Sequence, residues 1–91
     1  SEKAFQARVI AYARLNKWLV YHTWRSDHSA DGFPDLCMAR LSRIVFAELK
    51  SQRGTVTDEQ RLWLEELQLS GKCEVYTWRP SDYPEIQERL A

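Results

Sequence analysis

The chain has 91 residues, 44% of them hydrophobic, with four Trp, four Tyr and three Phe; that supplies one compact domain over 1–91 and leaves no room for a second. Thirteen basic residues balance thirteen acidic ones, so a globally basic nucleic-acid binder is excluded and any nucleic-acid surface has to be local. No run is apolar for the ~20 residues that a membrane span requires, the start Ser1-Glu2-Lys3-Ala4-Phe5 lacks the apolar core of a signal peptide, and Cys37 and Cys73 show no metal-type spacing, so the expectation is a cytoplasmic protein with reduced, buried cysteines.

From Glu2 to about Asn16 apolar residues recur at helical spacing, with Ser1 available as a cap, which predicts a first helix. Glu2, Phe5, Gln6, Val9 and Ala13 share the stripe that should face a sheet. Trp18 to Trp24 is dense in aromatic and β-branched residues and predicts a strand. Arg25 to Pro34 is polar, contains Gly32 and Pro34, and reads as a long loop. Strands follow at about Asp35 to Arg40 and Arg43 to Lys50. The second of these is apolar on both alternating faces until Glu48, the pattern of a central strand covered on both sides. After the polar stretch Ser51 to Val56, Thr57-Asp58-Glu59-Gln60 forms a capping box that opens a helix carrying Leu62, Trp63, Leu64 and Leu67 and ending before Gly71. A last strand over Cys73 to Trp78, a turn at Pro80 to Asp82 and a short helix over Tyr83 to Leu90 complete the order α-β-β-β-α-β-α.

Glu48 is the anomaly in an otherwise apolar strand. A hairpin centred between Leu41 and Ser42 sets Asp35 directly opposite it, although Leu-Ser is a weaker turn former than Asn-Gly. Opposed residues on an antiparallel pair have Cβ atoms roughly 4.5–5.5 Å apart, and like charges so placed repel. Lys50, two residues on and on the same face, supplies one compensating charge, and a divalent cation supplies the rest, since two carboxylates and water suit Mg²⁺ or Mn²⁺. Spacing alone leaves a second reading open, in which Asp35 caps a turn after Pro34 while Glu48 and Lys50 face water. The number of charges gathered at one strand end favours the metal site.

These residues carry a family resemblance. Gly32-Phe33-Pro34-Asp35-Leu36, followed thirteen residues after the Asp by Glu48-Leu49-Lys50, resembles the PD-(D/E)XK nuclease signature. Ser51-Gln52-Arg53-Gly54-Thr55-Val56-Thr57 leading into Gln60, Trp63, Leu64 and Leu67 is similar to its VRR-NUC branch, found in stand-alone phage and bacterial proteins and in the Fanconi-associated nuclease. Together with a Glu on the first helix and the Tyr21-His22-Thr23 strand, the resemblance covers nearly the whole chain. It implies a restriction-endonuclease-like α/β core, a mixed central sheet flanked by helices, in the cytoplasm of a bacterial or phage-infected cell.

The resemblance further implies Asp35 and Glu48 as ligands of Mg²⁺ or Mn²⁺, the Leu49 carbonyl as an added ligand, and Lys50 as the group that orients the attacking water. Glu2 matches the family's helix acid, with a simple helix-dipole role as the alternative. Gln60 matches an active-site position, although the capping box also wants Gln there. His22 resembles a recurrent position, but a His among aromatics is more often a hydrogen-bonded core residue. Backbone amides at Val56 to Asp58, with Arg53 and Arg61, are candidates for phosphate contact at a helix N-terminus, as are Arg25 and His28 on the long loop. The implied activity is structure-selective DNA endonuclease action on Holliday junctions or other branched DNA by a homodimer, with Trp18, Trp24, Trp63 and Trp78 as candidate interface aromatics. The competing readings are a flap or nicking nuclease without junction preference and a catalytically silent DNA-binding module.

Overall fold

The structure, a computed structural model, describes residues 1–24 and 30–91. Arg25 and His28, named above as phosphate candidates, lie outside the described residues. Ser1 caps the first helix, its Oγ accepting the Ala4 N–H at 3.2 Å, and α1 runs Glu2–Leu15. Phe5, Val9 and Ala13 form its buried stripe. The helix stops in a Schellman arrangement: the Trp18 N–H donates to the Ala13 carbonyl at 3.0 Å and the Lys17 N–H to that of Arg14 at 3.0 Å. Lys17 takes the left-handed position with φ 71°, where glycine is usual.

The remaining elements are β1 (Leu19–His22), β2 (Leu36–Arg40), β3 (Arg43–Leu49), α2 (Asp58–Leu69), β4 (Glu74–Trp78) and, after a 3₁₀ turn at Pro80–Asp82, α3 (Tyr83–Leu90). The sheet order is β1-β2-β3-β4, with the first two pairings antiparallel and β3–β4 parallel. A parallel pair needs a crossover, and α2 supplies it. The chain is thus an α/β fold with a four-stranded mixed sheet and flanking helices. No helix among the described residues is long and apolar enough to cross a membrane.

The β2–β3 hairpin pairs Arg40 with Arg43 across Leu41 and Ser42. Both turn residues have positive φ, 47° and 71°, as a type I′ turn demands whatever its sequence. The strands are shorter than sequence suggests: Trp18, Thr23, Trp24, Asp35, Lys50 and Cys73 fall just outside the ladders. On one face Leu36, Met38, Val45, Ala47, Leu49 and Trp78 meet Phe5, Val9 and Ala13 of α1 and Ile86 and Leu90 of α3 in a continuous core. The other face is only partly covered, contrary to the expectation of a strand sheathed on both sides. There Phe33 packs edge-on against Phe46 (5.9 Å) and Trp63 of α2 (5.0 Å), no residue of α2 is fully buried, and Leu19, Tyr21 and Ile44 remain exposed.

Gly32 explains how α2 is brought close. Its φ is 85°, and a Cβ there would lie 2.5 to 2.7 Å from backbone atoms of Glu59 and Gln60. Only a residue without a side chain lets the loop before β2 rest on the first turn of α2.

Candidate active site

Asp35 owes its position to the proline before it. Continuing the hairpin register from Leu36↔Ala47 sets Glu48 opposite Asp35 and Leu49 opposite Pro34. Proline has no N–H, so the ladder cannot close there. The Leu49 N–H instead donates to the Asp35 carboxylate, at 2.8 Å to Oδ2. Because residues of an antiparallel ladder point N–H and C=O to the same side, the Leu49 carbonyl also faces the Pro34 position and finds no ladder donor in it. The backbone around Asp35 is pinned from β1: the Thr23 N–H donates to the Asp35 carbonyl at 2.8 Å and Thr23 Oγ1 to the Pro34 carbonyl at 2.7 Å.

Glu48 lies at the end of the central strand and is only 1% exposed. Among the described residues, the ammonium of Lys50, itself 7% exposed, pairs with it at 3.5 Å. Neither Glu48 carboxylate oxygen accepts a hydrogen bond from the described residues. Burial first, and the neighbouring Asp35 charge second, push the Glu48 carboxyl up to about 7, against the lowering effect of Lys50. An ionised, unsatisfied carboxylate in an apolar setting costs several kcal/mol (roughly 1–3 for an unsatisfied polar group, more when charged). Asp35 and Glu48 therefore form a crowded oxygen-donor pair with one buried ammonium beside it.

A cleft of about 390 Å³ opens next to Asp35, lined by Glu2, Lys3, Gln6, His22, Thr23 and Trp24. The α1 stripe brings Glu2 and Gln6 to its wall, and β1 brings His22. Gln6 Nε2 and His22 Nε2 share a hydrogen bond of 2.7 Å, which makes His22 a fixed cleft residue and not a packed core histidine. Glu2 shares the cleft with Asp35, but among the described residues no group of three or more His, Cys, Asp or Glu lies close enough to hold a metal ion.

The start of α2 is occupied by its own cap. Thr57 Oγ1 accepts the Gln60 N–H at 3.1 Å, and Gln60 Oε1 accepts the Thr57 N–H at 2.9 Å, so one of the three amides considered for phosphate contact, that of Thr57, is already used. Arg61 pairs with Asp58 at 3.0 Å on the surface, and Arg53 is exposed. Of the aromatics considered for an interface, Trp18 (3% exposed) and Trp78 (1%) belong to the core, whereas Trp24 is 72% exposed. Sequence reasoning missed Arg79, whose Nη1 donates to the carbonyls of Ser51 (2.8 Å) and Gly54 (2.6 Å) and so fixes the loop that follows Lys50. It also missed Lys3 and Trp24 as cleft residues. A Trp two positions after His22 falls on the same side of an extended chain, which is the only signal that was available.

Compared with known proteins, the chain matches no family model and no curated protein.

Proposed function

We propose that the protein is a metal-dependent structure-selective DNA endonuclease with a PD-(D/E)XK core of the VRR-NUC type, hydrolysing phosphodiester bonds in Holliday junctions or other branched DNA as a homodimer. The observation that carries this reading is the Glu48 carboxylate, buried at a strand end with neither oxygen hydrogen-bonded among the described residues, beside Asp35 and Lys50. A purely structural strand gains nothing from such a group, whereas a hard cation satisfies it.

The donor set fits Mg²⁺ or Mn²⁺: Asp35 and Glu48 give carboxylate oxygens, the Leu49 carbonyl lacks a ladder donor, and such ions keep several waters. Bound there, the metal would acidify water and offset charge developing on the phosphate. Lys50, held over the same strand end, orients the attacking water and stabilises the phosphate oxygens as charge grows on them. Asp35, tied to the Leu49 N–H, keeps its carboxylate facing Glu48. Glu2 stands across the cleft as a further acid. The exposed apolar side chains on β1 and the hairpin turn, Leu19, Tyr21 and Leu41, favour a second copy as partner, since pairing gives a short chain two-fold symmetry and a longer DNA footprint.

The test incubates the protein with labelled duplex, flap, splayed-arm and four-way-junction DNA in Mg²⁺, Mn²⁺ or EDTA, beside Glu48→Ala and Lys50→Ala. Cleavage is expected only with metal, and each variant should lose activity by about a hundred-fold or more. Metal-independent cutting, or full activity in either variant, overturns the assignment. Light scattering against concentration checks the dimer; a monomer that cuts junctions symmetrically contradicts it.

A further inference from the structure

Trp24 is a large aromatic ring left 72% exposed on the wall of the cleft that contains Asp35. Its position is set by the two residues that precede it. Thr23, the preceding residue, is bonded to the Asp35 and Pro34 carbonyls, and the His22 ring lies 5.0 Å away, tilted by 40°. His22 is in turn held by Gln6 at 2.7 Å. The cleft thus has a flat apolar surface, a hydrogen-bonding pair beside it, a cation in Lys3, and a volume of about 390 Å³, within the range of small-ligand sites.

Its carboxylates disfavour a bare phosphate, and a net charge of zero gives counterion release little to contribute. Base stacking on an aromatic ring is indifferent to both and tolerant of sequence. A base inside a duplex is stacked on its neighbours and cannot present its face, so the occupant has to be unpaired.

Resting on the nuclease reading above, we infer that this cleft is a base-holding subsite: one unpaired nucleotide of the DNA strand stacks its base on Trp24, with Gln6 and His22 facing its polar edge, beside the proposed metal ligands Asp35 and Glu48. Trp24 is then the residue that selects a strand with an unpaired nucleotide over continuous duplex.

Fluorescence anisotropy in EDTA compares a labelled short oligothymidylate with a blunt duplex of equal length, for the wild type, Trp24→Ala, Trp24→Phe and Leu69→Ala. The oligothymidylate should bind more tightly than duplex. Trp24→Ala should weaken it by about ten- to a hundred-fold while leaving duplex binding unchanged, and Trp24→Phe should retain most of the affinity. Raising salt from about 50 to 200 mM should cost less than about ten-fold, against the far steeper loss of a phosphate-clamping protein. Leu69→Ala, at an exposed position of α2 outside the cleft, should bind oligothymidylate as the wild type does. No wild-type preference for the oligothymidylate, or equal losses on both ligands in Trp24→Ala, overturns the inference. A parallel cleavage assay in Mg²⁺ separates the two readings. Trp24-dependent binding without any cleavage sinks the nuclease reading alone. Cleavage whose flap-to-duplex ratio is untouched by Trp24→Ala sinks the subsite alone.

Discussion

Glu48 links the chemistry of the site to the stability of the fold. Its carboxyl is held up to about 7 by burial and by Asp35, from an ordinary value of 4.5, so the folded chain binds more protons than the unfolded one between those pH values. Stability from this group therefore falls as pH rises from about 4.5 to 7 and stays lower above. Glu74 acts in the opposite sense: its bidentate hydrogen bonds with Arg43, at 2.6 and 2.8 Å, hold its carboxyl down at about 2. That contribution is present above about 4.5 and is lost as pH falls toward 2. Thermal melts in EDTA should accordingly peak near pH 5. Glu48→Gln, which removes the buried charge, should raise metal-free stability at pH 8 by about 2 kcal/mol while abolishing cleavage; a variant no more stable than wild type at pH 8 would contradict this account. Gly32→Ala tests the loop contact, since its Cβ would meet the α2 backbone and its φ is left-handed. A loss of about 2 kcal/mol or more is expected from urea titration.

Among the elements, α1 has the clearest opportunity for improvement. Lys17 occupies the left-handed position that closes the helix, and Lys17→Gly should stabilise by about 1 kcal/mol because the side chain no longer opposes that conformation; denaturant midpoints check it. Most elements were legible from the residues. The Phe5, Val9 and Ala13 stripe, the Thr57 capping box and the centre of the β2–β3 hairpin all rest on local spacing, and the register that sets Asp35 against Glu48 follows from that centre. What could not be read depends on contacts distant in sequence. Pro34 removed a ladder donor from the Leu49 carbonyl, and the Leu49 N–H turned to the Asp35 carboxylate instead. The arrangement of Arg79 over Ser51 and Gly54 and the burial of Trp18 and Trp78 arise only once α3 and β4 have docked. The exposure of Trp24 likewise depends on which elements come to cover the sheet and which do not.

On the scale of the whole molecule, the two faces of the sheet are unequal. One is sealed by α1 and α3 and contributes all the buried apolar side chains, while the other carries Glu48, Phe46 and a helix that buries none of its residues completely. The candidate centre lies at the ends of the strands, where Glu48 and Lys50 are buried and a cleft walled by α1 opens beside Asp35. Sequence showed that β3 was central but not that β4 would lie beside it in parallel, because periodicity carries no information on strand direction. That parallel partner has a consequence for how the molecule assembles. Asp35, Glu48 and Lys50 all belong to a hairpin closed by two residues, whereas β4 reaches β3 only after a crossover through α2. Loop closure makes the first pairing fast and the second slow. The carboxylates are therefore brought together before they are desolvated, and their repulsion is met while water still screens it. Pulse-labelled hydrogen exchange during refolding should protect amides of β2 and β3 before those of β4, and an excess of Mn²⁺ should speed the last phase by relieving the charge that β4 encloses.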